Sequence, residues 1–297
     1  MKALVFGSMN IDRVYSLAAL PEKGETLTCE KYEIHVGGKG LNQAISLSKA
    51  GAEVYMAGII GADGLFLKEY LEKCGVDTSM VKVTGGFTGH AVIEVEPEGQ
   101  NQMILFPGAN HEADEEFCDS VLEKFSAGDL ILMQYETSQV EYMIKKAHEK
   151  GLKAAFNPSP FTGRLKSFDY SDIDYLILNE SEGAGISGES DPLRAASALE
   201  KLTRGGTVIL TLGGNGAICV RNGKITKAPA FEVDAVDTTG AGDTFTGYIL
   251  TALLNGADEE TALLTASAAS AIAVTKPGAA ETIPCRAEVS DFIERRK

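Results

Sequence analysis

In Asp237-Thr238-Thr239-Gly240-Ala241-Gly242-Asp243-Thr244-Phe245, small residues and a carboxylate sit where the spacing predicts a helix start. Phe245, Tyr248, Ile249, Ala252 and Leu253 follow at i, i+3, i+4, i+7 and i+8, the apolar stripe of an amphipathic helix. Such a start leaves main-chain N–H groups unpaired, with the positive end of the helix dipole behind them, which makes an anion site. Asp243 beside it has two readings. It is either a capping carboxylate or a base placed where phosphate charge develops.

A second constellation, Val36-Gly37-Gly38-Lys39-Gly40-Leu41-Asn42-Gln43-Ala44, joins a strand to a helix. Glycines without Cβ let the backbone approach a ligand closely, and Lys39 and Asn42, three apart, supply donors for a polyhydroxylated molecule. Taken alone, the run reads equally well as a flexible loop before a helix. Together the two segments provide what phosphoryl transfer to a hydroxyl needs: a positioned alcohol, a carboxylate to take its proton, and fixed dipoles for the migrating group.

Other chemistries lack their signatures. GxxxxGK[ST], GxGxxG after a strand, HExxH and GxSxG are all missing, and the four histidines have no useful spacing. The five cysteines are scattered without a CxxC pair, which points away from zinc and disulfide frameworks and toward a reducing cytoplasm. A formal net charge of −15 disfavours nucleic acid and anionic membrane surfaces as partners. No apolar run approaches the roughly 18 residues of a membrane span, and the N-terminal residues show no signal-peptide pattern.

To position these residues, the chain alternates short buried-strand runs with helical periods. The runs are Ala3–Phe6, Val54–Gly58, Leu130–Met133, Ala154–Phe156, Tyr175–Leu178 and Val208–Leu212, and Leu41, Ala44, Ile45 and Ser48 share one helical face. A mainly parallel sheet covered by helices is expected, as one domain over 1–297. Residues 27–36 and 89–106 alternate instead, with a turn at Pro97-Glu98-Gly99. They predict a small antiparallel sheet with one apolar face, formed from about 13–36 and 88–107, able to close over a ligand or pair with a second subunit.

At these residues the chain resembles the ribokinase-like carbohydrate kinase family. Nearly the whole length takes part. Gly7-Ser8-Met9-Asn10-Ile11-Asp12, Pro21–Thr26, Gly37–Ala44, Gly58–Asp63, Asn157-Pro158, Asn179–Glu182, Thr211-Leu212-Gly213, Asp237–Asp243 and Ala273–Ala279 occur in the family's order. The resemblance implies a three-layer α/β/α fold with a small β lid. It also implies ATP-dependent phosphorylation of a sugar, most similar to the ribose-phosphorylating members. Other small sugars, a nucleoside, or a non-catalytic sugar sensor of the same fold stand as alternatives. By the same resemblance Asp243 is the base and the Gly240, Ala241 and Gly242 backbone is the anion hole. Asn10, Asp12, Gly38, Lys39, Asn42 and Glu136 match sugar contacts. Asn179 and Glu182 match the motif organising Mg²⁺ and phosphate, and Thr211, Gly213, Gly216 and Gly242 match the ATP contacts. Asp237, Thr239, Ala273, Lys276, Gly278 and Thr282 match a K⁺ loop built mostly of carbonyls. A homodimer through the lid is expected.

Overall fold

A computed structural model describes residues 2–97 and 100–296. The buried apolar runs become the strands of one nine-stranded sheet. These are β1 (Lys2–Phe6), β4 (Glu53–Gly61), β5 (Asp77–Thr84), β8 (Leu130–Gln134), β9 (Lys153–Asn157), β10 (Tyr175–Asn179), β11 (Thr207–Thr211), β12 (Ala217–Arg221) and β13 (Lys224–Ala228). Their spatial order is β13-β12-β11-β10-β9-β8-β1-β4-β5, parallel from β11 to β5, with the antiparallel β12 and β13 closing one edge.

Both faces of the sheet are buried at its centre because the central strands are apolar along most of their length, and each face packs its own helical layer. Leu4, Phe6, Ile131, Met133, Phe156 and Leu178 face α3 (Glu115–Leu122), α4 (Val140–Lys150), α5 (Glu180–Ser187) and α6 (Pro192–Leu202). Val5, Met56, Leu132 and Ile177 face α1 (Lys39–Lys49), α2 (Leu65–Lys73), α7 (Ala241–Leu254), α8 (Glu259–Ala273) and α9 (Arg286–Glu294). The result is the expected three-layer α/β/α arrangement. Among the described residues no helix is long and apolar enough to cross a membrane.

The alternating segments form a separate four-stranded sheet, β3-β2-β6-β7, from β2 (Asn10–Ser16), β3 (Lys31–Gly37), β6 (Gly89–Val95) and β7 (Asn101–Phe106). It consists of two antiparallel hairpins, joined by a parallel pairing of β2 with β6. Of the turn expected at Pro97-Glu98-Gly99, the last two residues lie outside the described set. The apolar side chains divide differently from strict alternation. Val36 is buried, whereas Tyr32 and Ile34 are exposed, and Met103, Ile104, Leu105 and Phe106 are exposed in sequence, Ile104 by 68%.

One helix contact fixes the centre of the molecule. A Cβ on Gly247 of α7 would come within 2.3 Å of Ser46 Oγ and 2.6 Å of the Leu47 nitrogen on α1. The helices therefore touch backbone to backbone. That brings the start of α1 against the start of α7, at the carboxyl ends of β1, β8 and β9.

Candidate active site

The first cluster gathers where β1 hands over to β2. Asn10 is buried, and its Oδ1 accepts a hydrogen bond from Asn110 Nδ2 at 2.8 Å. Asn110, itself buried in the turn Gly108–His111, also accepts from the Met9 backbone N at 3.1 Å. Donation into Oδ1 fixes which way the Asn10 amide faces and leaves its Nδ2 as the outward donor. Gly38 has φ +93, and a Cβ there would sit 2.9 Å from both Asn10 N and Ser8 O. Only glycine permits that approach.

Two more carboxylates complete this side. Glu136 follows β8, and its Oε2 accepts from the Ser8 hydroxyl and from Lys39 N, the latter at 3.3 Å. Burial raises the Glu136 carboxyl, against the opposing pull of the Lys39 ammonium and the Ser8 bond. Burial, then the charges of Glu136 and Glu281, push Asp12 up to about 7. Asp243 is the main cause holding Lys39 above its usual range, although burial works in the opposite direction. Carboxylates set beside a lysine ammonium suit a ligand that presents several hydroxyls.

Asp243 lies at the first turn of α7, only 7% exposed. Its Oδ2 accepts from Asn42 Nδ2 at 3.1 Å and its Oδ1 from Gln43 Nε2 at 2.8 Å. Each oxygen keeps a lone pair free for a proton. Asn42 Oδ1 is buried with no partner among the described residues, an acceptor matched to a hydroxyl hydrogen. Gly240 precedes α7 in the left-handed region at φ +72, and no side chain caps the helix. The Ala241 amide donates to Thr238 O at 3.2 Å, while those of Gly242 and Asp243 make no hydrogen bond to the described chain. Asp243 is thus no cap of its own helix; it stands next to unpaired amides.

From those amides a cleft of about 320 Å³ opens toward the antiparallel edge, lined by Thr211, Gly213, Gly216, Phe231, Val233 and Val274 among others. Its mouth includes Ala241 and Gly242, so the cleft and the anion site are continuous. Asn179 and Glu182 form a reciprocal capping box at α5: Glu182 N donates to Asn179 Oδ1 at 2.8 Å, and Asn179 N to Glu182 Oε2 at 2.9 Å. Glu182 is buried, and its charge reaches Lys39.

Asp237 ties two loops together on the other side of α7. Its carboxylate accepts from Gly278 N at 2.9 Å and from Thr239 N and Oγ1 at 2.9 and 2.7 Å. Burial pushes this carboxyl up, but those donors prevail and hold it below the usual range. Thr282 Oγ1 donates to Ala279 O at 2.9 Å, Ala273 ends α8, and Lys276 is exposed.

The structure therefore brings Asn10, Asp12, Gly38, Lys39, Asn42, Glu136 and Asp243 to one place. Thr211, Gly213 and Gly216 line the adjoining cleft, and the 237–282 residues form a third group. Sequence reasoning missed Asn110, a lone amide in a short turn with no spacing to mark it. It also missed Phe231, Val233 and Val274, apolar residues that look like core until the cleft is seen.

A twice-covered parallel sheet with a carboxylate beside unpaired helix-start amides, polyol-type donors on one side and an apolar cleft on the other, is the layout of an α/β phosphotransferase for small alcohols. Residues 1–286 match the pfkB family carbohydrate kinases, and the chain belongs to that family. A ribokinase of Haemophilus influenzae is 38% identical over 301 residues, covering 98% of this chain and 97% of its own length. A ribokinase of Schizosaccharomyces pombe is 34% identical, at 99% and 98% coverage. Among solved structures, Arabidopsis thaliana ribokinase complexed with ribose and ATP superposes with a TM-score of 0.86 at 29% identity, covering 98% of each chain. A Cryptococcus neoformans ribokinase in complex with ADP gives 0.84 at 32% identity, covering 98% of this chain and 99% of that one.

Proposed function

We propose that this protein is an ATP-dependent ribose kinase that makes ribose 5-phosphate. The observation that carries the reading is Asp243, held by two amides next to the unpaired Gly242 and Asp243 N–H groups, between a polyol cluster and an open cleft. Full-length similarity to ribokinases, one of them solved with ribose and ATP, supports the choice of substrates.

In this reading Asn10, Asp12, Gly38, Lys39, Asn42 and Glu136 hold the sugar, with the orphaned Asn42 Oδ1 taking a hydroxyl hydrogen. Asp243 takes the proton of the attacking hydroxyl as its oxygen bonds to the γ-phosphorus and the bond to the ADP oxygen breaks. The N-terminus of α7, Gly240 to Gly242, receives the charge that builds on the transferring group. Thr211, Gly213 and Gly216 border the nucleotide, with Phe231, Val233 and Val274 offering the base an apolar wall.

Asn179 and Glu182 fit a magnesium ion held through water, since the buried Glu182 carboxylate accepts only from the Asn179 amide and retains oxygen lone pairs. Bound there, the ion supplies neutralising charge to the phosphates. Asp237, Thr239, Ala273, Lys276, Gly278 and Thr282 fit a potassium ion by their all-oxygen donor set, with Lys276 contributing only its carbonyl. Such an ion supplies positive charge behind the start of α7. The exposed apolar side chains of β7 support a homodimer through the lid. Five unpaired cysteines support a cytoplasmic location.

Following ADP release with a panel of sugars tests the reading. Ribose is expected to be the fastest acceptor. Faster turnover of 2-deoxyribose, fructose, a ketodeoxy sugar acid or a nucleoside overturns the substrate, and ribose binding without turnover of any acceptor overturns the enzyme reading in favour of a sensor. The 2-deoxyribose arm matters because a deoxyribokinase of Salmonella typhi is 30% identical over nearly the full length of both chains.

A further inference from the structure

Gln43 stands in the glycine-rich run yet has no role among the sugar contacts. It is fully buried, and all of its hydrogen-bonding capacity but one acceptor lone pair is spent inside the protein. Its Nε2 donates both hydrogens, one to Asp243 Oδ1 at 2.8 Å and one to Asn157 Oδ1 at 3.0 Å. Its Oε1 accepts from Gln134 Nε2 at 2.7 Å. Asn157 in turn donates to the Ile177 carbonyl at 2.8 Å. The chain of donors runs one way, from the end of β8 through α1 to the carboxylate on α7.

That direction matters. An amide can flip, and a flipped Gln43 would set its oxygen against the Asp243 carboxylate. Asn157 prevents this, because its own N–H group is committed to the Ile177 carbonyl and its oxygen therefore needs an N–H from Gln43. Gln134 adds a donor to the Gln43 oxygen, although its own Oε1 is buried with no partner among the described residues. Gln134 is fully buried at the carboxyl end of β8, and Asn157 is 9% exposed at the end of β9. The rigid sheet therefore sets the amide, and the amide sets the rotation of the carboxylate.

We infer that Gln43 is a positioning residue for the Asp243 base, locked in its donating orientation by Asn157 and supported by the Gln134 amide. The inference rests on Asp243 being the base. A carboxylate restrained on one oxygen by Asn42 alone can turn about its Cβ–Cγ bond, and misplacement of a reacting atom by about 1 Å is enough to cost on the order of 100-fold in rate. Because Gln43 touches the base and not the sugar, its loss should appear in kcat and leave ligand affinity in place.

The test uses steady-state kinetics with ribose and ATP, together with thermal melting, on Gln43→Met, Gln134→Met, the double variant and Asp243→Asn. Gln43→Met is expected to lower kcat about 10- to 100-fold, with both KM values within about twofold of the parent. Gln134→Met should lower kcat less, and the double variant should be no slower than Gln43→Met, since both changes act through one bond chain. An unchanged kcat in Gln43→Met overturns the inference, as does a KM that rises in step with the loss of kcat, or additive losses in the double variant. If Gln43→Met does not fold, Gln134→Met decides by the same KM-against-kcat criterion. Failure of both to fold assigns the chain of amides to stability and overturns the proposal. Asp243→Asn separates the two readings: near-parental kcat there removes the base itself, whereas a crippled Asp243→Asn beside a fully active Gln43→Met removes only the role of Gln43.

Discussion

Ser46 on α1 donates its hydroxyl hydrogen to the carbonyl oxygen of Thr244 on α7 across 2.7 Å. Both residues are fully buried, Ser46 one turn after Asn42 on α1 and Thr244 next to Asp243 on α7. The bond works with the missing Cβ of Gly247 to hold the two helix starts together. The amides that grip the carboxylate are thus supplied by one helix and the carboxylate by another, and their separation depends on how closely those helices pack.

Gly247→Ala tests that dependence. On a solvated helix the change would add roughly 0.5–1 kcal/mol of stability. Here the new methyl would meet Ser46 and the Leu47 backbone well inside contact distance, and overpacking of this kind costs about 1–3 kcal/mol. The clash should win. Thermal melting should show a lower Tm, and kcat should fall with it. A raised Tm would mean that the helices have slack the contact does not suggest.

Asp243→Asn should reduce kcat about 10²–10⁴-fold, the range for loss of a general base. Nucleotide affinity, measured by calorimetry, should change little, because the amides of α7 remain. Near-parental turnover would take Asp243 out of the proton-transfer role.

Asp12 makes stability depend on pH in a definite direction. Its folded value of about 7 lies above the usual carboxylate range near 4. Between those limits the folded protein holds a proton that the unfolded chain releases, so stability falls as pH rises from about 4 to 7 and the loss is complete above that. Asp12→Asn removes the loss. Its Tm should exceed that of the parent at pH 8 and match it near pH 4, while its sugar affinity falls. A Tm gain of equal size at both pH values would show that the buried charge is not the cause.

Ile104→Asp addresses the lid. Ile104 is 68% exposed on β7, beside Met103, Leu105 and Phe106. Sedimentation should show a dimer for the parent and a 31.5 kDa species for the variant. A parent that already sediments at 31.5 kDa would end the dimer proposal.

Asp237→Ala should release the Gly278 and Thr239 contacts and with them any rate enhancement by potassium. Turnover measured with potassium and then with a non-binding cation such as tetramethylammonium gives the readout. Undiminished potassium activation in the variant would place the cation elsewhere.

The site was largely legible in the chain because glycine and small-residue runs mark places where backbone must approach backbone, as at Gly38 and Gly240. The central strands were legible for a related reason: being covered on both faces, they are unbroken apolar runs. β5, β12 and β13 were not, since they lie toward the sheet edges and carry polar residues such as Thr78, Arg221, Lys224 and Lys227. The parallel pairing of β2 with β6 was hidden as well, because alternation reveals a wet face but not the direction of a neighbour. Asn110 and Gln134 were invisible for a different reason. Their importance comes from residues about 100 and 91 positions away, and no local spacing records such a meeting.

β2 begins at Asn10 in the sugar cluster and ends at Ser16 in the outer sheet. Its inner end is moored by Asn110, while its far end, about 20 Å away at strand spacing, pairs with β3 and β6 of the same small sheet. Tilting such a lever about its moored end by roughly 10° sweeps the tip through about 3.5 Å and barely displaces Asn10. The entrance can therefore swing wide for exchange of cargo while the grip at the fulcrum stays assembled.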